Sequence, residues 1–225
     1  YLAGQYQGLV NKPKANLDPS STGERAVNLQ DGILLPKYRL PTEAEWEFAA
    51  LGLIGNTVYE RVVERRIYPW NGNILRTDQK KYYGSFVANF KRANGDYMGV
   101  SGNLNDGADL PAPVGSYWPN DYGLYNMAGN VAEWTSSTYN PSSYNFAWDL
   151  NPDYSYNAAE SDPPIMKRKV IRGGSWKDVA YYIRLSTRAY EYQDTSKCYV
   201  GFRCVQSYMG RQKDDNPARA SHVYN

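Results

Sequence analysis

A chain of 225 residues is long enough for one large domain, and with 42 % apolar and 21 % charged side chains it is not wholesale disordered. Its 25 basic and 23 acidic groups leave a net charge of +2, which removes any electrostatic case for nucleic acid or an anionic membrane surface. A single histidine, His222, and two cysteines, Cys198 and Cys204, argue against a buried Ser-His-Asp or Cys-His constellation and against a zinc or non-haem iron centre.

The 22 Tyr and 6 Trp supply large buried areas, while 19 Gly and 13 Pro interrupt regular elements. The pairing predicts a loop-rich fold held by aromatic clusters. Residues 1–38, rich in Asn, Gly, Pro, Ser and Lys, read as an irregular surface segment. The clearest helix follows in Arg39-Leu40-Pro41-Thr42-Glu43-Ala44-Glu45-Trp46-Glu47-Phe48-Ala49-Ala50-Leu51. Thr42 is its N-cap, Glu45 completes a capping box, and Gly52 or Gly55 ends it. Trp46, Ala49 and Ala50 share one face by spacing, and Glu43 and Glu47 fall elsewhere.

Further on, the basic run Arg61–Arg66 and the cluster Lys167-Arg168-Lys169 read as solvated faces, with contact to an acidic partner as the other reading. A turn is predicted at Tyr68-Pro69-Trp70-Asn71-Gly72. From Asn89 to Asp109 the chain is crowded with Asn, Asp and Gly, and a compact block runs from Tyr122 to Thr135. Residues 137–165 form a polar, Tyr- and Pro-rich insertion. Lys169–Arg172 and Tyr199–Val205 read as strands. If that last segment is extended, Cys198 and Cys204 lie roughly 20 Å apart and pair only through a sharp bend at Gly201.

The carboxylate pairs Glu43/Glu47 and Asp106/Asp109 are too ordinary to signal acid–base catalysis, and Ser175 lacks the flanks of a nucleophile elbow and reads as a small residue in a packed turn. Asn103–Asp109 is more suggestive. It gathers oxygens and a Gly in a short loop, the donor set a hard cation wants, although its spacing is not that of an EF-hand. A hydrogen-bonded Asx turn is the other reading.

Five motifs occur in order: Arg39–Glu47, Tyr68-Pro69-Trp70, Gly123–Trp134, Arg172-Gly173-Gly174-Ser175-Trp176 and Gly201-Phe202-Arg203-Cys204. Together they resemble the signature of the formylglycine-generating enzyme, or sulfatase-modifying factor, family. The resemblance implies an irregular, loop-rich α+β fold related to C-type lectin-like domains. It also implies one domain over residues 1–210, with its amino-terminal part missing, and a polar tail at 211–225. Calcium would be a structural ion. One set of ligands maps to Asn89, Phe90, Asp106 and Ala108, and a second to Asn126, Met127, Gly129 and Val131 with Glu133 nearby.

Oxidising members of the family use two cysteines, placed shortly after the Gly-Gly-Ser segment, to hold copper and handle the substrate thiol. Anchored on Arg184 and Arg188, those positions fall at about Ala180 and Leu185, so the resemblance implies a domain without catalytic or cofactor-binding residues. The stretch from Lys167 to Cys204 resembles the gliding-motility and type IX secretion lipoproteins of the GldK/PorK kind, and residues 84–114 resemble their paralogue GldJ about equally. That likeness implies a non-enzymatic role at the periplasmic face of the outer membrane. It further implies a GldN/PorN-like protein partner, a homo-oligomeric ring and a lipid anchor upstream of Tyr1. The alternatives are a lectin-like ligand-binding module and, more remotely, a copper-dependent formylglycine-generating oxidoreductase.

Overall fold

Thr42 carries the first structural decision in the chain. Its Oγ1 accepts the Glu45 N–H at 3.2 Å while Glu45 Oε2 accepts the Thr42 N–H at 2.9 Å, so the capping box forms and nucleates helix α1 (Glu43–Leu51). Gly52, left-handed at φ 53°, stops it. The structure is a computed structural model. It describes residues 38–54, 66–91, 110–146 and 152–206, together with the backbone of β1 (Leu9–Val10), β2 (Arg25–Ala26), β4 (Thr57–Val58) and β5 (Arg61–Val62). Most of residues 1–37 and all of the 211–225 tail lie outside this set.

The chain divides into two compact units. In the unit made of Tyr1–Arg39 and Cys204–Asn225, β1 pairs antiparallel with β2. In the same unit, β3 (Tyr38–Arg39) pairs antiparallel with β10 (Val205–Gln206). The unit Leu40–Arg203 holds α1, the β4–β5 hairpin and a four-stranded sheet. That sheet is ordered β8 (Ala189–Tyr192), β7 (Arg168–Arg172), β6 (Ala132–Thr138), β9 (Val200–Gly201), and only the β6–β9 pairing is parallel. Among the described residues no helix is long and apolar enough to cross a membrane.

Two apolar clusters hold this larger unit. Trp46, Ala50, Met127 and Leu185 pack α1 onto the loop before β6, while Tyr68, Ala88, Phe90, Ala128 and Ile183 form the other cluster. The predicted turn supplies part of the second, because Tyr68 stacks on Trp70 with ring centroids 4.8 Å apart.

Four expectations are corrected. Glu43 does not face away from the core; it is buried beside Trp46 and Ala50, because Arg188 meets its two oxygens at 2.6 and 2.7 Å. The Tyr199–Val205 strand is broken into β9 and β10. Its cause is Arg203, which leaves the ladder to grip Glu133 through two 2.5 Å bonds. Of the run Arg61–Arg66 only the Arg66 side chain lies within the described residues, and it is no solvated cation: it donates to Asp121 at 2.5 Å, to the Leu51 and Gly52 carbonyls that end α1, and to Asn71. Lys167 pairs with Asp194, Arg168 lies over the Tyr190 ring, and Lys169 donates to the Tyr156 carbonyl at 2.8 Å. Burial pushes the Lys169 ammonium below the usual lysine range, with Asp153 opposing.

The insertion is pinned where it is described. Thr138 Oγ1 accepts the Tyr156 N–H at 2.8 Å, and the Thr138 N–H donates to the Tyr154 carbonyl at 2.7 Å. Strand β8, which the sequence pattern did not reveal, forms the outer edge of the sheet. Since the Gln193 N–H bonds inward to Lys167, strand alternation turns the Tyr192 N–H outward, and Glu191 Oε1 accepts it at 3.2 Å. The other Glu191 oxygen accepts the Tyr199 hydroxyl at 3.0 Å.

Candidate functional site

The loop entering β6 is Asn126-Met127-Ala128-Gly129-Asn130-Val131. Asn126, Gly129 and Asn130 have φ of 54°, 77° and 67°, three left-handed residues within five. Asparagine tolerates that region because its short amide bonds locally. Gly129 is required for space as well as for φ. A Cβ there would lie inside van der Waals contact with the Asn89 carbonyl, which also accepts the Asn130 N–H at 2.8 Å.

Asn130 is the hub of this loop, and sequence reasoning passed over it. Its Oδ1 accepts the Ala112 N–H at 2.7 Å, its Nδ2 donates to the Ala112 carbonyl, and its own carbonyl accepts the Trp176 N–H at 2.9 Å. The available signal was the Gly-Asn pair itself, a left-handed dipeptide immediately before a strand.

Of the residues mapped to calcium, Asn126 bears the clearest mark. Its Nδ2 donates to the Val114 carbonyl at 2.9 Å, which fixes the amide orientation. The Oδ1 on the other side is buried without a hydrogen-bond partner. A buried orphan oxygen is costly unless something electropositive sits against it. That is the chemistry a hard cation would satisfy, so the Asn126 amide oxygen fits an ion of the calcium type, and Met127, Gly129 and Val131 are the residues that would hold it alongside.

Glu133 is differently engaged. Its carboxylate takes the bidentate Arg203 and a 2.7 Å bond from the Trp46 indole N–H, which closes both oxygens. At the other mapped set, Asn89 is buried and donates from Nδ2 to the Leu110 carbonyl at 2.8 Å, and Phe90 lies in the core. Asp106 and Ala108 lie outside the described residues. Among the described residues no three His, Cys, Asp or Glu side chains cluster, so an ion here would rest on amide and carbonyl oxygens.

The Gly-Gly-Ser turn lies directly against this loop, with the Gly129 N–H donating to the Gly173 carbonyl at 2.8 Å. Ser175 is fully buried, and its hydroxyl donates to Asp178 at 2.6 Å, the packed turn its flanks predicted. Downstream, Leu185 is 1 % exposed in the Trp46 cluster and Ala180 packs against the Tyr68 cluster. Cys198 and Cys204 are free, exposed thiols. A methyl and an isobutyl group hold no copper, so the oxidising members' metal does not fit these two positions.

A capped helix, a coiled Asn-Gly-Asn loop and a Gly-Gly-Ser turn, gathered on a mixed sheet amid long irregular segments, define a loop-rich α+β domain of sulfatase-modifying type. The chain belongs to the family of the sulfatase-modifying factor enzyme 1-like domain, whose profile matches residues 5–208. The formylglycine-generating enzyme of Mus musculus is 33 % identical over 174 residues, covering 76 % of this chain and 40 % of the relative. The inactive C-alpha-formylglycine-generating enzyme 2 of Mus musculus is 32 % identical over 183 residues, covering 79 % and 45 %. Among solved structures, PvdO from Pseudomonas aeruginosa matches with a TM-score of 0.52 at 25 % identity, over 77 % of this chain and 54 % of that one. The chain thus spans less than half the length of these two curated relatives. One relative is named as an enzyme and another as inactive, so membership alone does not decide activity.

Proposed function

We propose that this domain is a non-catalytic structural component of a type IX secretion or gliding-motility assembly, of the GldK/PorK kind. The observation that carries the reading is the missing sulfur. From Gly173 to Lys197, where oxidising relatives place their thiols, the chain has no cysteine, and Leu185 fills apolar core instead. Without a thiolate there is neither a soft ligand for copper nor a partner for exchange with a substrate thiol.

On this reading the domain is held at the periplasmic face of the outer membrane by a lipid anchor upstream of Tyr1. It is stiffened by calcium on Asn126, Met127, Gly129 and Val131, and it assembles into a ring with a GldN/PorN-like partner. Support comes from the likeness of residues 167–204 to those lipoproteins. Kinship to C-type lectin-like domains belongs to the same reading.

Two measurements test it. Incubated with copper and a cysteine-bearing sulfatase peptide, the purified chain should leave the thiol unchanged by mass spectrometry; aldehyde formation would overturn the non-catalytic assignment. Cross-linking followed by purification from outer membranes should recover a GldN/PorN-like protein, and its absence would remove the assembly role. The lectin-like alternative draws on exposed rings such as Tyr181 and Tyr182, 59 % and 49 % exposed, and saturable binding on a glycan array would favour it.

A further inference from the structure

Beside the outer face of α1 lies a cleft of about 410 Å³ that the motifs did not foreshadow. The helix contributes Glu47, Phe48 and Leu51, and the facing wall carries Thr138, Tyr144 and Tyr154 from the end of β6 and the insertion. Phe48 and Tyr144 are each 60 % exposed, large rings with no role in the core.

Among the described residues the charged groups lining the cleft are Glu43 and Glu47, and no Lys or Arg lines it. The nearby guanidinium groups are committed behind it: Arg188 grips Glu43, and Arg172, with a fully buried side chain, meets Glu47 Oε2 at 2.5 Å. Arg188 also lies over the Tyr144 ring, 4.6 Å from its centroid. Glu47 keeps Oε1 without a donor among the described residues, on a side chain 34 % exposed. Burial, then the Glu43 and Glu47 carboxylates, hold the Tyr144 hydroxyl above the usual tyrosine range, so it stays protonated.

We propose that this cleft docks a lysine or arginine side chain of a partner protein, with the aliphatic stem between the rings and the cation on Glu47 Oε1. Ring faces and a half-satisfied carboxylate are complementary to a long basic side chain. An anion would meet two carboxylates. A neutral sugar would need a denser array of matched donors and acceptors than these mainly apolar walls provide. The inference rests on the reading of the domain as a protein-binding unit, and its test uses small probes, so failure here leaves the cross-linking result standing.

The 15N-labelled chain is titrated by NMR with N-acetyl-arginine amide, N-acetyl-lysine amide, the uncharged N-acetyl-norleucine amide and diacetylchitobiose. For ligands this small, dissociation constants on the order of 1 mM are expected for the two cations, with shifts confined to amides around the cleft. Norleucine amide should bind about tenfold more weakly, and Glu47→Gln should weaken the cations about five- to tenfold. Because Glu47 also serves Arg172, Ala44→Phe, which fills the cleft from the helix surface, gives a second variant that should abolish binding. Equal binding of norleucine amide, chitobiose shifting these amides where the cations do not, or no saturable shift with any probe would each overturn the proposal.

Discussion

Arg172 shows how much of this molecule is decided by single side chains. Its guanidinium is wholly buried, meets Glu43 at 3.2 Å and Glu47 at 2.5 Å, and donates to the Leu185 and Thr187 carbonyls. A buried pair adds little over an apolar substitute, but removing one member leaves uncompensated charge. Arg172→Met should therefore lower unfolding stability by about 3–5 kcal/mol, read from urea denaturation. Tyr199 gives a prediction in pH. Burial first, then its bond to Glu191, raise its folded pKa above the ordinary 10.0. Below that value the unfolded and folded chains both hold the proton, so its contribution is fully present; it is lost as pH climbs through the raised value. Stability should fall above about pH 10, and less steeply in Tyr199→Phe.

At the scale of elements, the readable parts were the local ones. The capping box, the Gly52 stop, the turn at Tyr68–Gly72 and strand β7 each follow from neighbours within a few positions, and the structure contains them all. Thr42→Ala should cost about 1 kcal/mol, measurable by thermal or urea unfolding. What the pattern misjudged depends on distant partners. Glu43 looked like a solvent-facing carboxylate until Arg188, 145 positions away, drew it inward. Arg203 ended a strand for the sake of Glu133, 70 positions back. The candidate loop was legible as a motif, whereas its hub Asn130 was not, because its partner Ala112 lies across an irregular segment. Gly129→Ala should be among the most damaging substitutions in the chain, costing at least about 2 kcal/mol and broadening the unfolding transition.

Across the whole molecule, a cation bound only by the folded state adds stability by mass action, about 2.7 kcal/mol at 100 times its dissociation constant. Calcium should raise the melting temperature and a chelator lower it, and Asn126→Ala should shrink that difference. An unchanged melting curve would mean that the orphan oxygen is tolerated without a metal. Among the described residues, the basic side chains that looked available for outside contacts, Arg66 and Lys167 to Lys169, are spent on carbonyls, rings and carboxylates of their own unit. This leaves the aromatic, acid-lined face of α1 as the open surface with unmet chemistry.

The carboxylate that Glu191 folds over the Tyr192 amide has a bearing on how copies of such a domain can aggregate or polymerise. An open rim of backbone donors is a template for foreign chains, and here a residue of the rim itself occupies one of them, the Tyr192 N–H. A foreign strand on that flank would have to displace the Glu191 carboxylate to pair there. Glu191→Ala would unblock that N–H, and light scattering should then reveal sticky, concentration-dependent growth that the native chain resists.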